Sequence, residues 1–187
     1  MRHHALASLT LALSMAASAA LLAPATARAH GEPPPDGFDL RQAVAAALRA
    51  TRPFNDLQAA QAAGYVKFPD QSGDCVDQPG QGGMGVHYLN AALLDDPALD
   101  PLKPEFLVYQ PEADGSMALA ALEYVVFAPV WDALHPQPPQ LFGHPFHLVR
   151  TPNRYGTPMP FYELHVWAWE PNPDGLFNDW NPRVACR

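Results

Sequence analysis

Proline is the residue that most restricts how this chain can fold. The 187-residue sequence contains 22 prolines, which cluster at 33–35, between 129 and 145, and between 152 and 182. Proline lacks a backbone donor and clashes with the preceding helical turn, so long helices are excluded there. Because 48% of the residues are nevertheless apolar, a packed core is expected rather than disorder. The second half should therefore consist of strands joined by ordered loops.

The sequence pattern predicts where helices and strands lie. Residues 40–50 and 56–63 show helical patterns, with Asn55 as the cap of the second. Residues 85–89, a hairpin of 106–109 with 117–127, and residues 162–169 read as strands. With helices first and no β-α-β alternation, we predict an α+β fold: two short N-terminal helices, then a mostly antiparallel sheet with long Pro/Gly-rich loops.

Residues 1–29 have the organisation of a secretory signal peptide. Arg2 precedes an apolar stretch over 5–23, and small residues then alternate at Ala25, Ala27 and Ala29. Cleavage after Ala27 and cleavage after Ala29 both fit this pattern. An uncleaved anchor is the alternative, but the stretch is rich in alanine and ends at a proline. We predict a periplasmic or secreted protein with no stable membrane anchor after cleavage.

The remainder has the size of one domain. Residues 30–38 are predicted to be a flexible leader and residues 39–187 a single α+β domain. The signal contains two of the 11 basic residues and none of the 19 acidic ones, which leaves a formal charge of −10. An acidic surface of this kind disfavours nucleic acid as a partner. Nothing in the sequence indicates the oligomeric state.

Cys75 and Cys186 are the only cysteines. An even pair in an exported protein predicts a disulfide bond. Closing a loop of this length contributes on the order of 4–5 kcal/mol in the chain-entropy model. A thiolate metal site is the alternative, but the pair lacks the short C-x-x-C spacing of zinc sites.

The late strand carries the first candidate site residues. If extended over 161–169, it places Phe161, Glu163, His165, Trp167 and Trp169 on one face. A carboxylate and an imidazole that project together can form a pair of metal ligands, or a base with the group that orients it.

Three further residues could join this pair. Glu123 lies in an otherwise apolar strand, where a carboxylate is costly unless it is partnered or faces solvent. His87 follows a glycine-rich loop, and His147 lies in a segment whose other histidine, His144, would point the opposite way if extended. We predict one divalent transition-metal ion, Zn or Cu, whose ligands are drawn from five residues, namely His87, Glu123, His147, Glu163 and His165. Their spacing matches no local metal motif, and a purely structural role is the alternative.

Other functions stay open. Trp167 and Trp169 are predicted ligand-binding residues of a small-molecule or glycan-binding module, with ordinary aromatic packing as the alternative. A structural envelope protein without any small-molecule site is a third reading. If cleavage exposes His30, its amine and imidazole could chelate copper. The sequence has no G-x-S-x-G or C-x-x-C-H motif, so it names no catalytic residue and does not decide whether the protein is an enzyme.

Five segments occur in a characteristic order: GGMGVHYLN (82–90), PEFLVYQP (104–111), LEYVVFAPVWDA (122–133), PNRYG (152–156) and FYELHVWAWEPNP (161–173). In these segments, which contain GMGxHYxN, PNRYG and ELHVWAW, the chain resembles an uncharacterised family of bacterial exported proteins. The resemblance covers most of residues 55–187 and implies no reaction or ligand. It places His87, Glu123, Glu163 and His165 in the family's recurring segments, which favours them as a site.

Overall fold

The computed structural model describes residues 37–68, 74–94 and 97–186. Its first elements are helix α1 (Gly37–Thr51), a 3₁₀ turn (Arg52–Asn55) and helix α2 (Leu57–Ala62). The predicted cap of the second helix was one residue off: the Asp56 carboxylate, not Asn55, accepts from the Gln58 backbone N–H at 2.9 Å. The signal segment, both cleavage points, His30 and the leader up to residue 36 lie outside the described residues and stay predictions. Helix α1 begins at Gly37, within the predicted leader and earlier than the predicted residue 40.

The remaining elements are mostly short strands. They are β1 (Val66–Lys67), β2 (Val76–Gln78), β3 (Gly82–Leu89), α3 (Ala91–Leu94), β4 (Phe106–Pro111), β5 (Met117–Phe127), α4 (Ala128–Asp132), β6 (Gln140–Leu141), β7 (His144–Pro145), β8 (His147–Val149) and β9 (Phe161–Val166). The main sheet has the order β1-β3-β4-β5-β9-β8, with β2 also paired to β3, while β6 and β7 form a separate hairpin. Every pairing between these strands is antiparallel. The described part thus confirms an α+β fold with a mostly antiparallel sheet.

One face of the main sheet carries the principal core. Side chains alternate along a strand, so Leu122, Tyr124 and Val126 of β5 lie on the same face and join one apolar cluster. Residues of α1 and α2, including Ala47 and Ala60, belong to that cluster. The helices therefore cover this face.

The opposite face is also buried, but by loops and the C-terminal segment. Phe106, Val125 and Phe161 form one small apolar cluster there. A second cluster brings Val108 of β4 together with Val184 near the C-terminus. Because this face is covered as well, a polar side chain between the two clusters is withdrawn from water.

The C-terminal segment is fixed to the start of β3. Cys75 and Cys186 are disulfide-bonded with their Cα atoms 5.6 Å apart, which confirms the predicted bridge. Gly83 forms a β-bridge with Asn181, and a Cβ on Gly83 would lie 2.9 Å from Val184 Cγ1. A Cβ on Gly82 would lie 2.1 Å from the Asn181 backbone O, so only glycine fits there. Strand β3 begins at Gly82 rather than at the predicted residue 85 because β2 pairs with residues 82–85.

Strand β9 is shorter than predicted and ends at Val166 instead of continuing to Trp169. After it, the Trp167 backbone N–H donates to Leu176 O and the Trp169 N–H to Ala120 O. The chain leaves the regular ladder here, so Trp169 does not share the face of His165. This corrects the predicted five-residue face over 161–169.

Across the three described ranges, no helix combines the length and the apolar character needed to cross a bilayer.

Candidate metal centre

The strand register brings the five predicted metal ligands onto the loop-covered face. His87 of β3 pairs with Val108, whose strand neighbour Phe106 pairs with Glu123 of β5. Glu123 in turn pairs with His165 of β9. One step further, Glu163 pairs with His147 of β8. Residues far apart in sequence thus form a row across the sheet.

The row separates into two groups instead of the single predicted site. His87, Glu123 and His165 form an inner trio, in which each residue offers a ligand atom and all three atoms lie within 4.8 Å of one another. His147 and Glu163 form an outer trio with Asp179, under the same distance limit.

The inner trio is buried throughout. His87, Glu123 and His165 have relative exposures of 3%, 2% and 1%. His87 Nε2 lies 3.4 Å from Glu123 Oε2. The two imidazole rings stand nearly perpendicular, with centroids 6.2 Å apart. Two imidazoles and one carboxylate therefore converge on one point inside the protein.

His165 is the unusual member of the inner trio. Neither of its ring nitrogens has a hydrogen-bond partner among the described residues. Buried polar groups are nearly always hydrogen-bonded, and leaving one unsatisfied costs about 1–3 kcal/mol. Without a further ligand, this imidazole is a source of instability in the core.

Burial sets the protonation state of the inner trio. It raises the pKa of Glu123 well above its usual value, and the charge of nearby Glu163 raises that pKa further. Burial lowers the pKa of His165 well below its usual value, and His87 and His147 act in the same direction. Both groups are thus pushed toward their neutral forms. A neutral imidazole is the form that binds a metal, whereas the carboxyl would release its proton on doing so.

The outer trio is more exposed at His147, whose imidazole is already partnered, although Glu163 is buried and its Oε2 has no hydrogen-bond partner among the described residues. The His147 side chain is 46% exposed, and its Nε2 lies 2.7 Å from Glu163 Oε1. Its Nδ1 lies 3.8 Å from Asp179 Oδ1. The hydrogen bond to Glu163 raises the pKa of His147, so this trio behaves as a hydrogen-bonded acid–base pair with a second carboxylate nearby.

A cavity of about 110 Å³ adjoins the inner trio. His87, Glu123 and Glu163 are among the residues that line it. The rest of the lining is aromatic or aliphatic apart from Thr157, and consists of Phe68, Leu89, Leu94, Phe106, Val125, Phe127, Tyr155 and Phe161. The inner trio therefore borders an apolar pocket.

The two predicted ligand-binding tryptophans do not share an exposed surface. Trp167 is buried, and its indole N–H donates to Asn178 O at 2.5 Å. The Trp169 indole N–H donates to Thr51 Oγ1 at 3.1 Å, and its side chain packs against the principal core. Their positions fit packing roles, and a ligand-binding role for them stays a prediction.

Two other histidines lie outside both trios. His144 stacks on Phe177 with ring centroids 4.4 Å apart, and His135 stacks on Trp131 at 3.8 Å. Asp179, by contrast, joins the outer trio without having been predicted. It lies in a non-repetitive segment after β9, where no periodic pattern could indicate which way its side chain points.

No family model, curated protein or solved structure matches this chain. The resemblance to bacterial exported proteins therefore stays a prediction, and any function has to be argued from the inner trio and the cavity beside it.

Proposed function

We propose that this protein is exported and binds one divalent transition-metal ion at the inner trio of His87, Glu123 and His165. Zinc is the first candidate and copper the second. The observation that carries the proposal is the fully buried His165 imidazole, whose two nitrogens lack hydrogen-bond partners in the described chain. A metal ion would give one of them a bond and would balance the buried carboxylate.

The donor set suits zinc. Two histidines and one glutamate are a recurrent ligand set of zinc sites that keep a fourth position open. With bonds of about 2.0–2.1 Å, tetrahedral ligand atoms lie roughly 3.4 Å apart. The 3.4 Å between His87 Nε2 and Glu123 Oε2 fits this value, and the three ligand atoms lie within 4.8 Å of one another.

The outer trio would have a different role. His147 is hydrogen-bonded to Glu163 Oε1 at 2.7 Å, so its imidazole, unlike that of His165, has a protein partner. Glu163 Oε2 is buried with no hydrogen-bond partner among the described residues. Since Glu163 raises the pKa of Glu123, the pair sits close enough to influence the proposed ion without binding it. We expect it to tune affinity, as groups surrounding metal ligands commonly do.

Export to the periplasm or the medium is supported by two features. The first 29 residues follow the order of a cleavable signal, and the disulfide is of the kind that persists in oxidising compartments. N-terminal sequencing of the protein recovered from the periplasm tests this part. A start at Arg28 or His30 supports it and identifies the cleavage point, whereas retention of Met1 contradicts it.

Metal binding is tested on untagged, disulfide-bonded protein. We expect about one zinc ion per chain by elemental analysis. Zinc at about 100 times its Kd should stabilise the fold by roughly 2.7 kcal/mol, which raises Tm by about 5–10 °C for a domain of this size. Differential scanning fluorimetry with Zn, Cu and Fe(II) measures the shift.

The Glu123→Gln variant tests whether Glu123 is a metal ligand or only a structural residue. The amide has the shape of the protonated carboxyl that burial favours, so the metal-free variant should fold with a Tm near that of the wild type. It should nevertheless lose most of the zinc-induced shift. His135→Ala, which removes an exposed histidine outside both trios, is the matched control and should keep the shift. No stoichiometric metal and no shift with any of the three ions would reject the proposal and favour a structural envelope protein.

A further inference from the structure

The cavity beside the inner trio has a composition that restricts what it can hold. His87 and Glu123 belong both to the trio and to the cavity wall. An ion bound by the trio would therefore border the cavity, and its open coordination position could face a molecule inside.

The walls away from the trio are apolar. Four phenylalanines, at 68, 106, 127 and 161, line the cavity together with leucine and valine side chains. A sugar would leave its hydroxyl groups without hydrogen-bond partners against such walls, and each buried, unpaired hydroxyl weakens binding. For an apolar molecule, burial against the same walls strengthens binding.

The size of the cavity sets one ring as the upper limit for an apolar group inside it. Its volume is about 110 Å³, smaller than the apolar protein cavity of about 150 Å³ that accepts benzene.

We propose that this cavity binds a small apolar molecule, about the size of one aromatic ring, through a single donor group that ligates the metal ion of the inner trio. This inference rests on the proposed metal function. The ring would lie among the phenylalanines, and the donor group would occupy the coordination position that His87, Glu123 and His165 leave open.

Two hydroxamates test the inference because they share a zinc-binding group and differ in the substituent attached to it. Benzohydroxamate has a ring, whereas acetohydroxamate has only a methyl group. Isothermal titration of the zinc-loaded protein should show benzohydroxamate binding at least about tenfold more tightly. Both should lose detectable binding when zinc is removed.

A cavity-filling variant locates the ring. Leu94→Trp places a bulky side chain in the lining without changing any proposed ligand, and should reduce the preference for benzohydroxamate to within about twofold. Zinc affinity, measured by chelator competition, should stay unchanged and shows that the variant is folded. Leu134→Trp adds the same side chain at an exposed leucine outside the lining, and should keep the full preference.

The outcomes separate the two proposals. Zinc binding with equal affinities for the two hydroxamates overturns the ligand inference and leaves the metal function standing. A preference that persists in Leu94→Trp also overturns it, because the ring would then lie elsewhere. Absence of zinc binding overturns both.

Discussion

The inner and outer trios use similar side chains on neighbouring positions of one sheet face, yet they differ in what satisfies them. In the outer trio, His147 is nearly half exposed and hydrogen-bonded to Glu163. In the inner trio, His165 is buried and its ring nitrogens have no partner among the described residues. A histidine beside a carboxylate is therefore not by itself a metal site, since the His147 imidazole already has a protein partner and access to solvent. The outer group keeps one unsatisfied atom in the described part of the chain, the buried Glu163 Oε2.

The physical difference lies in burial. An exposed histidine can exchange a protein partner for water at little cost, and exposed ion pairs contribute about 1 kcal/mol or less. A buried histidine cannot replace a missing protein partner with water. The free-energy cost of an unsatisfied buried imidazole has to be offset by other interactions or by a ligand. The inner trio is the place where a bound ion would change the energy of the fold most.

The largest expected effect is on zinc affinity. His165→Ala should weaken zinc binding by about a thousandfold or more, because it removes one of three ligands. His147→Ala should weaken it by no more than about tenfold, as expected for a group outside the ligand set. Competition with a chromogenic chelator measures both. Comparable losses in the two variants would erase the distinction between the trios and favour a single site that spans them.

A smaller effect, opposite in sign for the two trios, is expected in the pH dependence of the metal-free protein. The pKa of His147 is raised from 6.5, so its contribution to stability is fully present below that pH and is lost as pH rises through the folded-state value. The pKa of His165 is lowered from 6.5, so its contribution is present above that pH and is lost as pH falls.

Urea unfolding at about pH 5.5 and about pH 8.5 tests this opposition. Replacing His147 by Gln should cost more stability at the lower pH, by less than about 1 kcal/mol because the residue is partly exposed. Replacing His165 by Gln should cost more at the higher pH. Equal pH dependence in both variants would show that the difference in burial does not control protonation.

The smallest effect should come from Asp179→Asn. Its carboxylate lies 3.8 Å from His147 Nδ1, too far for a good hydrogen bond. We expect a change in unfolding free energy below about 0.5 kcal/mol and a change in zinc affinity within about twofold. Chemical denaturation and the same chelator titration measure these values, and a tenfold loss of zinc affinity would make Asp179 part of the centre.

Much of the fold was predictable because its signals are local. The hairpin of residues 106–111 with 117–127 follows from alternating apolar residues around a short turn, and the structure has it as β4 and β5. The disulfide followed from the number of cysteines and the predicted export signal. The extension of β3 to Gly82 was missed because the glycine-rich stretch before His87 reads as a loop, whereas β2 pairs with residues 82–85 of β3.

The candidate site was predictable only in part. Period-two alternation correctly put Glu163 and His165 on one face of β9, since that property depends on neighbouring residues alone. It failed for Trp169, because the hydrogen bond from its backbone N–H to Ala120 O redirects the chain. Asp179 was missed because no periodicity constrains the segment that carries it.

The sequence by itself determined the α+β class, the pairing of the two cysteines and the set of histidines and carboxylates that could act together. Only the tertiary structure divided that set in two, by burying His165 beside Glu123 and leaving His147 at the surface beside Glu163. The reason is that side-chain alternation is encoded locally, whereas burial depends on every segment that packs over a face. Here those segments include the disulfide-bound C-terminus, whose contribution to the loop-covered face no local pattern describes.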